Sequence, residues 1–170
     1  MSEFFPGIGV DAIDFAEPYR HFWLYVDEPR ADMPYSYDQT QAGRYFIRRQ
    51  GADDSDTEAD YGVVHFALDM PQRADGAMIF VDGDMVHRRF DPEAEMRYNP
   101  VAQRYERAML LKQGAYNYQY LIVPPGAVRG YTSGIEGDSY QTENEYLIKV
   151  YHRRRGERYD RLIGVTMTKK

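Results

Sequence analysis

Short apolar and aromatic segments, each closed by turn-forming residues, run through most of this sequence. Residues 61–68 (YGVVHFAL) are apolar on both faces of an extended chain, which is typical of a well-covered strand. Residues 145–151 (EYLIKVY) have the length and β-branched content of another strand. Turn clusters such as 82–83 (DG) and 124–126 (PPG) separate the segments, and no window of about 11 residues carries a helical stripe. The pattern therefore predicts an all-β chain.

The spacing of the segments predicts a β-sandwich of the immunoglobulin-like, early-set type over residues 43–170. Residues 1–42 contain four spaced prolines and are expected to form an extended N-terminal lead-in with one strand around Trp23. The stretch 78–120 holds a strand, a polar turn, a return segment and a further strand, followed by QGAYNYQY (113–120). This order is similar to that of early-set domains, which include glycogen-binding modules. Alternation along the strands predicts the following core positions: Val63, His65, Phe66, Leu68, Ile79, Val81, Leu110, Tyr118, Tyr120, Ile148 and Val150.

The composition excludes several classes of function. The 170 residues include no cysteine, so disulfides, zinc knuckles and thiol catalysis are excluded. The formal net charge is −6, whereas phosphate binding needs a basic field, so we expect no nucleic acid as a partner. No stretch approaches the roughly 18 apolar residues of a membrane helix, so we expect no membrane span. Residues 1–7 lack a basic flank and an apolar run, and the chain as given is expected to carry no signal peptide.

Two clusters allow both a functional and a structural interpretation. Tyr116, Tyr118 and Tyr120 alternate along one segment, so they form either a stacking platform for sugar rings or peptide, or the half-buried face of a sandwich strand. The loop 51–60 (GADDSDTEAD) has five carboxylates, which either bind calcium weakly or are simply solvated. The loop lacks the glycine and the closing glutamate of an EF-hand, so we expect no tight metal site.

No catalytic arrangement is recognisable in the sequence. The four histidines are isolated from one another, and His65 lies within an apolar segment, as a hydrogen-bonded core histidine would. Nucleophile elbows, phosphate loops and dinucleotide fingerprints are absent from the sequence. We therefore expect a protein that is not an enzyme, without catalytic residues, cofactor or bound metal.

Tyrosine and arginine, which are enriched in protein interfaces, are the distinctive residue types of this chain. It contains 16 tyrosines, and all but four of its 21 cationic residues are arginines. The basic run 152–158 (HRRRGER) can bind phosphate or lipid head groups, form local ion pairs in a hairpin loop, or face a protein partner. The candidate interface consists of exposed loop residues: Arg129, Tyr131, His152, Arg153, Arg154, Arg155, Arg158 and Tyr159.

Several long motifs resemble a known family. They are 30–48 (RADMPYSYDQTQAGRYFIR), 110–120 (LLKQGAYNYQY), 137–154 (GDSYQTENEYLIKVYHRR) and 156–164 (GERYDRLIG). Through these motifs the chain resembles the type 9 secretion system plug protein family of Bacteroidetes, formerly a domain of unknown function. The resemblance spans almost the whole chain. Because family members are longer, it implies that this chain corresponds to their C-terminal part.

The resemblance implies a non-enzymatic accessory protein of the periplasm, associated with the outer membrane. Proteins of this family close the periplasmic mouth of the β-barrel translocon while no cargo shuttle occupies it, so the expected partner is that barrel. The alternative is a carbohydrate-binding module of the glycogen-binding, early-set type, which would bind a glycan through an exposed aromatic platform. An enzyme would instead require a deep pocket with perturbed carboxylates or histidine.

Overall fold

A computed structural model describes residues 9–36 and 43–169 of the protein. Strands make up 46% of it and helices 5%, so the prediction of an all-β sandwich of the immunoglobulin-like class is confirmed. The elements in chain order are β1 (Val10–Ala16), β2 (Tyr19–Leu24), β3 (Tyr45–Ile47), α1 (Ser55–Glu58), β4 (Tyr61–Asp69), β5 (Met78–Asp82), a 3₁₀ turn (Asp84–Val86), β6 (Glu95–Asn99), β7 (Arg104–Lys112), β8 (Gly114–Tyr116), β9 (Gln119–Val123), β10 (Glu145–His152) and β11 (Arg161–Lys169).

Seven strands pair in the order β1-β2-β4-β7-β6-β5-β9, and two further sheets have two strands each, β3-β8 and β10-β11. The pairing of β2 with β4 is parallel, and the other pairings are antiparallel. Strand β6 changes partners along its length, because Met96 pairs with β5 whereas Arg97 to Asn99 pair with β7. Such a strand passes from one layer of a sandwich to the other, so β5 and β9 form the layer that covers β4 and β7.

The hydrophobic core lies between these two layers. Five predicted core residues are buried there at 0–2% exposure: Phe66, Leu68, Ile79, Val81 and Tyr120. They come from β4, β5 and β9, and residues of β6, β7 and the 132–136 turn complete the cluster: Met96, Tyr105 and Ile135. Burial of this apolar surface is the main term that holds the sandwich together.

Five predicted core residues do not lie in this core: Val63 and His65 are half-buried and alternate with the core residues of β4, and three others are exposed. Leu110, Ile148 and Val150 are each 49% exposed. Segments that are apolar on both faces leave the phase of the strand undetermined, and a shift of one residue reverses every side chain. In β7 the residues on either side of Leu110, Met109 and Leu111, pack on the core, as Tyr105 of the same strand does.

Residues 9–36 hold two strands of the large sheet, although the sequence predicted one strand for the lead-in. Strand β2 includes Trp23, as expected, and β1 pairs with it as the edge strand. The pattern missed β1 because Asp11 and Asp14 interrupt its apolar residues. Acidic side chains on an edge strand are a common protection against unwanted pairing.

The described residues fall into two compact units. The first comprises 9–34 and 43–138, and the second comprises 35–36 and 139–169. The second unit is built around the hairpin β10–β11, in which Glu145 pairs with Lys169 and His152 with Arg161. None of the helices in the described ranges has the length and apolarity that a bilayer crossing requires.

Candidate interaction surface

The loop that joins β10 to β11 contains most of the predicted interface residues, and its charged side chains form two ion pairs. Arg153 donates two hydrogen bonds to the carboxylate of Asp160, from Nε at 2.8 Å and from Nη2 at 2.9 Å. This bidentate geometry is the most directional form of an arginine–carboxylate pair. Arg161 Nη2 lies 2.6 Å from a carboxylate oxygen of Glu157, and its guanidinium lies 5.6 Å from the ring centre of Tyr159. These contacts join the two ends of the loop in this conformation.

Three arginines of this loop point a positive charge at solvent. Arg154, Arg155 and Arg158 are exposed, and no carboxylate of residues 9–36 or 43–169 forms an ion pair with them. Gly156 has a φ of 92°, a left-handed conformation that glycine adopts without strain, and the turn closes where Glu157 N donates to Arg154 O at 3.0 Å. The predicted local ion pairs and a free cationic surface therefore occur in the same loop.

The other predicted interface residues, Arg129 and Tyr131, belong to the first unit. Arg129 is exposed, and Tyr131 is 57% exposed. The backbone of Tyr131 exchanges two hydrogen bonds with Ile122 of β9, each 2.9 Å long. Gly130 lies so near Leu121 that an added Cβ would stand 2.9 Å from the Leu121 side chain. The lack of a side chain at Gly130 thus lets this loop lie flat on β9.

The three alternating tyrosines, Tyr116, Tyr118 and Tyr120, do not lie on one face. Tyr116 ends β8 and stacks on Tyr45 of β3, with ring centres 5.2 Å apart. Burial, with smaller contributions from Tyr45 and Tyr61, raises the pKa of Tyr116 to about 12. Tyr118 and Tyr120 belong to the core and meet edge to face at 5.7 Å. The three tyrosines are therefore divided between the β3-β8 pair and the core of the sandwich, and the structural interpretation holds for Tyr118 and Tyr120.

Asp27 connects these two tyrosines to the chain that follows β2. Its Oδ2 accepts hydrogen bonds from Tyr118 Oη at 2.8 Å and from Tyr120 Oη at 2.6 Å. The backbone of Asp27 also bonds to β4, through Ala67 O at 2.9 Å and Asp69 N at 2.7 Å. Burial, followed by nearby negative charge, raises the pKa of both phenols well above their ordinary value. One carboxylate thus joins the two layers of the sandwich.

A cavity of about 470 Å³ opens beside Asp27, between residues 26–33 and the turn that contains Ile135. Three of its charged groups, Asp27, Arg30 and Glu136, already have partners. Glu136 accepts a hydrogen bond from Tyr120 N at 2.9 Å and another from Arg30 Nη2 at 2.5 Å, which raises the pKa of the Arg30 guanidinium. A buried polar network whose donors and acceptors are hydrogen-bonded to one another stabilises a unique packing. The hydrogen bonds of Asp27, Arg30 and Glu136 therefore have a structural role.

The outward face of the large sheet carries an aromatic cluster that the sequence did not predict. Trp23 and His65 stack with ring centres 4.4 Å apart and planes 7° from parallel. His21 Nδ1 lies 2.8 Å from His65 Nε2, within hydrogen-bonding distance. Burial and the neighbouring His21 lower the pKa of His65. The sequence contains no local pattern that predicts this cluster, because the parallel pairing of β2 with β4 brings together residues more than 40 positions apart.

The carboxylates of the acidic loop take part in local structure. Asp54 caps helix α1 by accepting a hydrogen bond from Asp56 N at 3.0 Å, and Glu58 Oε1 accepts one from Asp54 N at 3.0 Å. Arg49 Nη1 stands 3.8 Å from Glu58. Within the ranges that the structure covers, no three His, Asp or Glu side chains converge as metal ligands. Whether calcium binds weakly here stays an open prediction.

No protein-family model and no curated protein matches this chain. A hypothetical protein from Parabacteroides merdae, whose crystal structure was determined at 2.30 Å resolution, is similar in sequence and in structure. The two are 45% identical and superpose with a TM-score of 0.92 over 100% of this chain. The matched region is 43% of the Parabacteroides merdae chain, so the present chain spans less than half the length of that protein.

Proposed function

We propose that this chain acts without chemistry of its own, as part of a type 9 secretion plug protein that blocks the outer-membrane translocon from the periplasmic side. The long motifs support the proposal, above all 110–120 and 137–154, which resemble that family. Blocking a channel by occupancy requires a folded body and a surface complementary to the barrel. Neither requirement involves a cofactor or a catalytic residue.

The observation that favours a protein partner is the ordered cationic loop at the end of the hairpin. Residues 153–161 contain five arginines and two carboxylates, so the loop carries a formal charge of +3 on a protein of net charge −6. A local charge opposite to that of the whole protein orients it toward an acidic partner surface during encounter. We therefore infer that the partner presents carboxylates where this loop binds.

The geometry of the loop reduces the cost of binding. Arg153 and Arg161 are already engaged with Asp160 and Glu157, so the backbone that presents the free arginines loses little conformational entropy when a partner binds. Arginine and tyrosine are also the residue types that most often dominate the binding energy of interfaces. In this arrangement Arg154, Arg155 and Arg158 make the contacts, while Arg153 positions them.

The test is a charge reversal of the free arginines in the full-length protein of a type 9-secreting bacterium. In one variant Arg154, Arg155 and Arg158 are replaced by Glu. The matched control replaces Arg44, Arg48 and Arg89, which are exposed in the first unit, by Glu and changes the net charge by the same amount. We expect the first variant to recover about tenfold less translocon on affinity purification and to leave the outer membrane permeable to solutes that are normally excluded. The control is expected to behave like the wild type.

Two results would contradict the proposal. One is a deletion strain whose outer membrane excludes solutes as well as the parent does, because a plug that can be removed without leakage is not a plug. The other is equal recovery of the translocon with both charge-reversal variants, which would remove the loop from the interface. Far-ultraviolet circular dichroism of each purified variant separates lost binding from lost folding.

A carbohydrate-binding function is the second candidate, and Trp23 is the observation that favours it. Its indole lies on the outward face of the large sheet, in the stack with His65, whereas Tyr118 and Tyr120 are committed to Asp27. Sugar rings stack on such flat aromatic groups. Tight retention of the protein in a glucan-containing gel, lost in Trp23→Ala, would favour this function over the plug.

A further inference from the structure

The hairpin β10–β11 presents apolar side chains on both of its faces. The register places Leu147 opposite Met167 and Tyr151 opposite Leu162 on one face. Tyr146, Ile148 and Val150 alternate with these residues along β10 and therefore lie on the other face. Eight apolar side chains of the hairpin are 49–61% exposed: Tyr146, Leu147, Ile148, Val150, Tyr151, Leu162, Val165 and Met167.

The second unit has no core of its own. Every residue from 139 to 169 is exposed or half-buried, and a compact unit of about 30 residues is below the size that usually folds without support. An isolated two-stranded hairpin is marginally stable in water at best. An antiparallel sheet with one wet face has polar residues on that face, so two apolar faces indicate a covering layer on each side.

Charged pairs mark both ends of the apolar zone. Lys169 Nζ lies 2.5 Å from Glu145 at the open end, and Arg153 pairs with Asp160 at the loop end. The strands between these pairs are 8 and 9 residues long, or about 26–30 Å at 3.3 Å per residue, which is within the usual range of strand lengths. Within the described chain this sheet has only its two strands, so both outer edges can accept further strands.

We propose that β10 and β11 are two strands of a second β-sandwich, completed by further strands of the same polypeptide in longer proteins of this type. The Parabacteroides merdae protein supports this occupant, because it matches the whole of this chain, hairpin included, and yet 43% coverage leaves more than half of it without a counterpart here. A permanent, largely apolar contact of this kind resembles a domain core rather than a transient interface. The cationic loop 153–160 then projects from the end of that sandwich.

The test compares hydrogen exchange in this chain with exchange in the full-length Parabacteroides merdae protein. In this chain alone we expect the amides of 145–152 and 161–169 to exchange almost as fast as unstructured peptide. In the longer protein the matched amides are expected to exchange at least ~100-fold more slowly, because they belong to a cooperative core. No translocon takes part in this experiment, so its outcome is independent of the plug proposal.

Single substitutions in the longer protein then show whether both faces are covered. The positions aligned with Leu147 and Ile148 lie on opposite faces, and Asp at either one is expected to restore fast exchange throughout the hairpin. Asp at the position aligned with Arg154, in the loop, is the matched control and is expected to leave exchange unchanged. Fast exchange in the unmodified longer protein would overturn the proposal. So would protection of this chain alone that rises with its concentration, because the hairpin would then bind a second copy.

Discussion

Removing the carboxylate of Asp27 is expected to destabilise the sandwich strongly. In Asp27→Ala the phenols of Tyr118 and Tyr120 lose the acceptor that now lies 2.8 and 2.6 Å away. A hydrogen bond to a charged group contributes about 1.5–3 kcal/mol, and a buried donor left without a partner costs its full desolvation. Tyr120 is only 2% exposed, so water cannot replace the carboxylate there. We expect the free energy of unfolding to fall by about 3–5 kcal/mol.

A double-mutant cycle isolates the two hydrogen bonds. In a Tyr118→Phe, Tyr120→Phe background neither phenol is present to lose its acceptor. Asp27→Ala is therefore expected to lower the free energy of unfolding by about 1 kcal/mol or less. Urea unfolding followed by tryptophan fluorescence measures both changes, because Trp23 is the single tryptophan and lies in the first unit. An equal cost of Asp27→Ala in both backgrounds would refute the reasoning, since the effect would then arise from the backbone of residue 27.

Three further perturbations test the same description of the fold. Phe66→Ala, at a site 2% exposed, is expected to cost about 3–5 kcal/mol in urea unfolding, whereas Ile148→Ala, at a site 49% exposed, should cost less than about 1 kcal/mol in this chain; equal costs would contradict the assignment of the core. Because the folded protein lowers the pKa of His65 below 6.5, the unfolded chain takes up that proton first. Stability should therefore fall as the pH drops below about 6.5, and a His65→Gln variant with the same pH profile would refute this. The pKa of Tyr116 is raised from 10.0 to about 12, so its contribution to stability persists below pH 10 and is lost as the pH rises through the folded value. Absorbance at 295 nm during an alkaline titration measures the ionisation of the phenols. Tyr116→Phe should ionise one phenol fewer than the wild type near pH 12, and a loss that appeared near pH 10 instead would contradict the raised pKa.

Strand content is what the sequence determined by itself. The strand signal is local, since a period of two residues and a closing turn can be recognised within ten residues. The strands predicted from 61–68 and 145–151 are present as β4 and β10. The same local information failed for β1, where aspartates interrupt the apolar residues. The basic hairpin loop was also visible in the sequence, because its arginines and its glycine turn are consecutive residues.

Which face of a strand is buried was decided by the tertiary structure. Segment 61–68 is apolar on both sides, so alternation cannot choose between Phe66 and His65, and only the layer formed by β5 and β9 buries the former. The same holds for β10, where Ile148 looks like a core residue until the lack of a covering layer leaves it exposed.

The contacts of Asp27 and the stack of Trp23 on His65 were likewise beyond the sequence. Asp27 meets Tyr120 across 93 positions of the chain, and Trp23 meets His65 only because β2 and β4 run parallel. Local propensity is set by neighbours along the chain and carries no information about which strands pair. Those contacts form only when the burial of apolar surface outweighs the entropy of closing long loops, and that balance belongs to the fold as a whole.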